Sequence, residues 1–201
     1  MKTFIIAAVC FCMGTLYVNA QDKVTEPSTG KQFDSKVVVS YDGTNYALQL
    51  TGVTVRKKLV FKVYGMAHYM QEPTTMSMEN AFQTILTDGK SKQIIMDFAR
   101  DVDPQKIQGA YRDGFKENAS EEDLKKLQPM IDQFVGFFAK DVKENDQFIL
   151  RWLPGGTIVA IVQGEQKPAV KGELFARTLW SIWFGEESIV DREDLVSRIV
   201  K

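Results

Sequence analysis

The chain has 201 residues, and 25 lysines and arginines against 26 aspartates and glutamates give a formal net charge of −1. This balance lacks the basic excess that is typical of nucleic-acid-binding proteins. A chain of this length can bury a sizeable core as a single domain. Both cysteines, Cys10 and Cys12, lie in the first 20 residues, so the rest of the chain offers no disulfide, thiol nucleophile or thiolate metal ligand.

The first 20 residues, MKTFIIAAVCFCMGTLYVNA, have the layout of a secretory signal peptide. Lys2 supplies an early positive charge, an apolar run follows to about Leu16, and small residues lead to Ala20. The run is shorter than the roughly 20 apolar residues that a membrane-spanning helix needs. We therefore predict a signal peptide over 1–20 and export, with the periplasm as the favoured destination and full secretion as the alternative.

Residues 21–35 are polar and rich in turn formers, which predicts a flexible lead-in to a folded domain over 36–201. The domain opens with strands. The alternating run KVVVSY, a DGTN turn and a second alternating run predict a β-hairpin. The stretch LQLTGVTVRKKLVFKVYGMAHYM (48–70) predicts two strands joined at a basic turn.

Three helices are predicted in the middle of the chain. Ser77 and Ser120 have the positions of N-caps, and Asp103-Pro104 places a proline in a first helical turn. Pro129 is expected to bend or split the third helix. The segment KQIIMDFA (92–99), between the first two helices, predicts a strand.

The C-terminal part returns to strands and then to helix. DQFILRWLPGGTIVAIVQGE predicts a hairpin around its Pro-Gly-Gly turn, and KGELFARTLWSIWFGEE predicts an apolar helix that ends near Gly185. Arg192 to Val200 predicts a last short helix. Strands, then helices, then strands and helix indicate an α+β domain rather than alternating βαβ units.

The single histidine, His68, lies on a predicted strand with Tyr64, Met66 and Met70 at alternate positions, so these four side chains share one face. The sequence has no HExxH zinc pattern, and no nucleophile-elbow motif accompanies His68. No Walker A loop or GxGxxG is present. We predict no metal and no cofactor, and His68 is expected to be hydrogen-bonded or half-exposed rather than catalytic.

Three stretches together resemble the chalcone isomerase-like superfamily, and its bacterial exported branch most of all. LTGVTVRKKLVFKVYGMAHYM resembles the family's glycine-x-x-x-arginine turn and the strand after it, LPGGTIVAIVQGE its C-terminal hairpin, and GELFARTLWSIWFGEE its last helix. The match spans roughly Val37 to Lys201. It implies an open-faced β-sandwich, in which helices pack on a large antiparallel sheet and a ligand cleft lies between them.

The resemblance allows each site residue of the plant isomerases to be compared with the matching position in this sequence. The arginine that plant isomerases use to hold a phenolate or enolate falls on Arg56, but their threonine falls on Tyr64. Their tyrosine and asparagine fall near Asp103 and Ala110, which do not retain that chemistry. These differences predict the loss of most positioning and electrostatic stabilisation for isomerisation.

An arginine paired with a tyrosine resembles instead the fatty-acid-binding branch, where the two groups hold the ligand carboxylate. This implies that Arg56 and Tyr64 form the polar end of a cleft. The expected ligand-binding residues are therefore Arg56, Tyr64, Met66, His68, Met70 and, from the last helix, Thr178. The three tryptophans are expected in the core.

Three functions follow as hypotheses. The favoured one is a non-catalytic, exported protein that binds a small amphipathic acid, such as a fatty acid, between sheet and helices. The second is an intramolecular lyase that closes the ring of an unsaturated ketone, with Arg56 and Tyr64 in catalytic roles. The third is an envelope interaction module with a closed cleft and an exposed apolar patch. None involves nucleic acid or stable membrane insertion once the leader is removed.

Overall fold

A large antiparallel sheet organises the molecule. The computed structural model describes residues 22–201, and the predicted signal peptide lies outside them. The eight strands of the sheet are β3 (Lys36–Tyr41), β4 (Thr44–Lys58), β5 (Phe61–Gln71), β6 (Lys92–Phe98), β7 (Gln147–Leu153), β8 (Thr157–Val162), β9 (Glu165–Gln166) and β10 (Val170–Lys171). They lie in the order β10–β8–β7–β6–β5–β4–β3, and the short β9 pairs with β8.

Four helices accompany the sheet, as the α+β prediction requires: α1 (Met78–Ile85), α2 (Pro104–Glu117), α3 (Glu121–Val135) and α4 (Glu173–Phe184). Ser77 and Ser120 cap α1 and α3 by accepting backbone N–H groups with their hydroxyls. Helix α3 runs unbroken through Pro129, so the predicted split is wrong. Pro129 is exposed, while Leu127, Ile131 and Phe134 bury the opposite side of α3 and hold it together.

Residues 22–35, which were expected to form a flexible lead-in, contain a short β-hairpin. Strands β1 (Lys23–Thr25) and β2 (Gln32–Asp34) pair as an antiparallel hairpin. The Glu26 carboxylate accepts the backbone N–H groups of Ser28 and Thr29, which closes the turn. Phe33 is buried beneath the sheet, and this burial offsets the entropy of ordering the segment.

The last residues, 192–200, form only a 3-10 turn at Asp194–Val196 rather than the predicted helix. The reason is tertiary pairing: the Arg198 N–H donates to the Thr51 carbonyl, and Val200 forms a parallel bridge with Met76. A Cβ at Gly52 would lie 2.0 Å from the Asp194 carbonyl oxygen. Only glycine allows the turn to approach β4 so closely.

The two faces of the sheet carry separate cores. On β5, Tyr64, Met66 and Met70 belong to the main cluster under the helices, whereas Ala67 and Tyr69 belong to a smaller cluster with the β1–β2 hairpin. The three tryptophans are buried in the main cluster, as expected. Within residues 22–201, no helix is both long enough and apolar enough to span a bilayer.

Candidate ligand-binding site

An apolar cavity of about 40 Å³ lies between the sheet and the helices. Helices α2 and α4 form its outer wall. Ala110 on α2 is exposed and lines the cavity, so the cavity opens to solvent beside this residue. The lining side chains are Tyr64, Met96, Phe98 and Phe148 from the sheet, Ile107, Ala110 and Tyr111 from α2, Ile182 and Trp183 from α4, and Ile189 from the following loop.

Tyr64 places a buried phenol in this apolar wall. Its hydroxyl accepts the indole N–H of Trp183 at 3.1 Å. Burial raises the pKa of Tyr64, and the nearby positive charge of Arg56 opposes this rise only in part, so the phenol is protonated at neutral pH. Within residues 22–201 no acceptor takes the proton of this hydroxyl. The cavity wall therefore carries an unused hydrogen-bond donor.

Arg56 lies on β4 directly opposite Tyr64 on β5. Its side chain is half-buried, and its guanidinium donates to the carbonyl of Ile189, a cavity-lining residue in the loop after α4. A guanidinium has five N–H donors. Among the described residues, this carbonyl is its only hydrogen-bond partner, so further donors can serve an anion.

A sequence profile described as chalcone isomerase-like matches residues 28–195. The chain belongs to the chalcone isomerase-like family. Among solved structures, a fatty-acid binding protein of Arabidopsis thaliana is similar, with a TM-score of 0.69 and 18% sequence identity over 89% of this chain and 97% of that chain. A search of curated proteins found no match. The expected chalcone isomerase-like fold is thus confirmed.

Two positions matched to isomerase residues bring no reactive group to the cavity of this chalcone isomerase-like protein. Asp103 is the exposed N-cap residue of α2 and pairs with Lys106 at 2.7 Å. Ala110 contributes only a methyl group to the cavity wall. In residues 22–201 there is also no group of three or more histidines, cysteines or carboxylates that could hold a metal.

Five of the six expected ligand-binding residues do not line the cavity: Arg56, Met66, His68, Met70 and Thr178. Arg56 is connected to it only through its bond to the lining residue Ile189. Met66 and Met70 are fully buried in the main core. The Thr178 hydroxyl donates to the Leu174 carbonyl of its own helix. The strand face was correctly placed toward the helices, but α4 covers the far part of that face, so only its Tyr64 end reaches the cavity.

His68 is the centre of a buried hydrogen-bond chain. Its Nε2 accepts the indole N–H of Trp180 at 3.4 Å, so the ring proton lies on Nδ1 and is donated to the Thr51 hydroxyl at 2.7 Å. Thr51 in turn donates to the Leu195 carbonyl at 2.7 Å. Burial, assisted by the charge of Lys92, holds the pKa of His68 well below its ordinary value. His68 therefore ties α4 to the C-terminal turn and has no access to the cavity.

The sequence interpretation missed two polar residues of the cavity. Trp183 was expected to be core, and Tyr111 was not among the expected site residues; both line the cavity. Burial raises the pKa of Tyr111 well above its ordinary value, and the Tyr64 phenol, which lines the same cavity, adds to this rise. The position of Tyr111, next to the aligned residue Ala110, was the signal available in the sequence.

Proposed function

We propose that the protein binds a small amphipathic acid, such as a fatty acid, and does not convert it. The observation that carries the proposal is that Arg56 pairs with Tyr64, which lines the apolar cavity, and bonds Ile189, which lines it too. A guanidinium fork matches a carboxylate, and the free phenol proton supplies one further hydrogen bond. The acyl chain would gain about 0.8 kcal/mol for each CH₂ group that it buries.

Binding requires the cavity to grow. Its volume of about 40 Å³ is well below the roughly 300 Å³ at which ligand pockets begin. We expect the loop after α4 to move, because Arg56 holds the Ile189 carbonyl of that loop to the sheet and a ligand carboxylate can compete for the same guanidinium. We infer that the ligand carboxylate takes over Arg56 and that the loop moves outward with Ile189.

The absence of turnover is supported by the residues at the isomerase positions. A tyrosine stands where the plant isomerases have threonine, Ala110 lacks a polar side chain, and Asp103 is turned to solvent. Among the described residues, only the cavity-lining Tyr64, Tyr111 and Trp183 and the adjacent Arg56 carry polar groups that could orient an unsaturated ketone. The lyase hypothesis predicts ring closure that requires Arg56, and a chalcone turnover assay tests it.

An interaction module is the second candidate function. Two observations favour it: the cavity is small, at about 40 Å³, and three apolar residues at the turn between β4 and β5 are exposed. Such a module would bind its partner through that turn and would leave the cavity empty. Ligand occupancy therefore separates the two candidates.

The test is native mass spectrometry and calorimetry with palmitic acid. The wild-type protein should bind one molecule, and Arg56→Lys and Tyr64→Phe should weaken binding. Tyr69→Phe is the matched control, because Tyr69 is also a buried phenol whose proton has no acceptor in the described chain, but it lies in the smaller core. Arg151→Lys serves likewise for the arginine, since Arg151 bonds Gln93 away from the cavity. Equal affinity in all five proteins would reject the proposal.

We also propose that the protein acts in the cell envelope, as the leader sequence predicts. Purified mature protein should then begin at Gln21. N-terminal sequencing of protein from the envelope fraction tests this, and an intact Met1 in that fraction would contradict it.

A further inference from the structure

The turn between β4 and β5 exposes three consecutive apolar side chains. Leu59, Val60 and Phe61 are 90%, 85% and 54% exposed. Single exposed apolar residues are ordinary on protein surfaces, but a contiguous group usually marks a contact site. We refer to residues 57–62 as the hairpin tip.

Basic residues flank the apolar part of the hairpin tip on both strands. Lys57 and Lys58 precede it and Lys62 follows it, and the guanidinium of Arg100 lies 4.7 Å from the Phe61 ring centroid. The Lys62 amine donates to the Ser28 carbonyl. Among the ion pairs of residues 22–201, none involves the three tip lysines.

The positive charge of the tip contrasts with the slightly negative chain. Lys57 borders a groove that Glu26, Asp191 and Asp194 also line, so the negative charge near the tip lies on that side. Lys58 and Lys62 do not border that groove. A local positive surface on a chain of net charge −1 requires a negatively charged partner to be complementary.

The shape of the tip favours a lipid surface over a protein groove. Leu59 has a φ of 56°, and with Val60 it forms the turn that ends the hairpin. Apolar side chains at such a convex end can enter the boundary of headgroups and acyl chains, while lysine side chains extend toward the phosphates. We propose that the hairpin tip docks reversibly on a membrane surface that contains anionic lipids.

This inference goes beyond the proposed function and does not depend on a bound acid. If the acid-binding proposal also holds, docking would bring the ligand site to a source of acyl chains, because Arg56 precedes the tip on the same strand. Three apolar side chains make a weak anchor, so the protein should exchange between solution and membrane rather than remain attached.

Vesicle flotation with the mature full-length protein tests the proposal. The probes are vesicles of phosphatidylcholine alone and vesicles in which about a third of the lipid is phosphatidylglycerol. Binding to the anionic vesicles should exceed binding to the neutral ones and should fall with added salt. Lys58→Gln should weaken the partition coefficient about fivefold, which corresponds to roughly 1 kcal/mol for one basic residue near an anionic surface.

Two pairs of variants separate the tip from general effects. Leu59→Asn tolerates the positive φ and should weaken vesicle binding, whereas Val38→Thr, at a second exposed apolar residue (67%) on β3, should not. Lys125→Gln, on the exposed face of α3, is the charge control for Lys58→Gln. All four residues are solvent-exposed, so the variants should fold, and their melting temperatures should stay near that of the wild type.

Three results would overturn the proposal: no flotation with anionic vesicles, equal flotation with neutral vesicles, or equal losses in the tip and control variants. A change of oligomeric state in the Leu59 variant without vesicle binding would also overturn it and assign the tip to self-association. Palmitate affinity, measured without vesicles, should be the same in the tip variants as in the wild type. A wild-type protein that binds anionic vesicles but does not bind palmitate would reject only the acid-binding proposal.

Discussion

Arg56 and Tyr64 face each other across β4 and β5, although the register at the turn would pair Arg56 with a different residue. At the turn, Lys57 is opposite Lys62, and a register shift between Arg56 and Lys57 then places Arg56 opposite Tyr64 instead of Val63. A second shift between Leu50 and Gly52 ends this offset stretch. The irregularity next to Arg56 thus places the guanidinium and the phenol on one face of the sheet.

Arg56→Ala should loosen the loop after α4. The variant removes the only contact by which the guanidinium holds the Ile189 carbonyl, so residues 186–191 should open more often. Amide hydrogen exchange in this loop should accelerate several-fold, while exchange in α3, which lies apart from Arg56, stays unchanged. Unchanged exchange in the loop would show that Arg56 does not restrain the cavity wall.

Ala110→Leu should block ligand entry without harming the fold. Ala110 is an exposed position on α2 at the opening of the cavity, and leucine is a good helix former. We expect palmitate affinity to fall at least tenfold and the free energy of unfolding to change by less than about 1 kcal/mol. Unimpaired affinity, measured by calorimetry, would place the ligand elsewhere.

His68 should make stability depend on pH in the mildly acidic range. The pKa of His68 in the folded protein lies well below 6.5. Below pH 6.5 the imidazole therefore binds a proton in the unfolded chain but not in the folded protein. The free energy of unfolding should therefore fall by up to about 1.4 kcal/mol per pH unit as the pH drops below 6.5. Urea unfolding between pH 7.5 and 5.5 measures this, and His68→Gln should flatten the dependence. A flat wild-type curve would contradict the assignment.

Gly52→Ala should be strongly destabilising, because the new Cβ would meet the Asp194 carbonyl oxygen at 2.0 Å. Backbone cannot yield as a side-chain end can, so we expect a loss of several kcal/mol. Gly109→Ala is the control: no atom lies within 4 Å of its new Cβ, and alanine in a helix should raise stability by about 0.5–1 kcal/mol. Chemical unfolding of both variants checks the contrast, which similar values would refute.

The fold was largely predictable from local sequence signals, and the site only in part. Alternation gave the strands, and Ser77, Ser120 and Pro104 marked the helix starts that the structure contains. The C-terminal segment was mispredicted as helix because its pairing with Met76 and Thr51 depends on residues distant in sequence.

The residues that line the cavity could not be predicted from local sequence patterns, because they depend on how the helices pack on the sheet. Strand parity placed Tyr64 on the helix side, but which of the residues on that face meet a cavity depends on where α4 crosses the sheet. His68 and Trp180 meet beneath that helix and fill the space, whereas Trp183 leaves the cavity open beside Tyr64. The register shifts at Arg56 are likewise a property of the assembled sheet.

The bond between Arg56 and the Ile189 carbonyl gives the proposed binding site an internal competitor. The ligand carboxylate and the Ile189 carbonyl would compete for the same guanidinium. A measured affinity would therefore reflect the difference in free energy between these two contacts of Arg56. A modest dissociation constant would then reflect the cost of displacing the loop, even for a well-fitting acid. The same competition would assist ligand release, because the returning loop offers the Ile189 carbonyl to Arg56 as the carboxylate leaves.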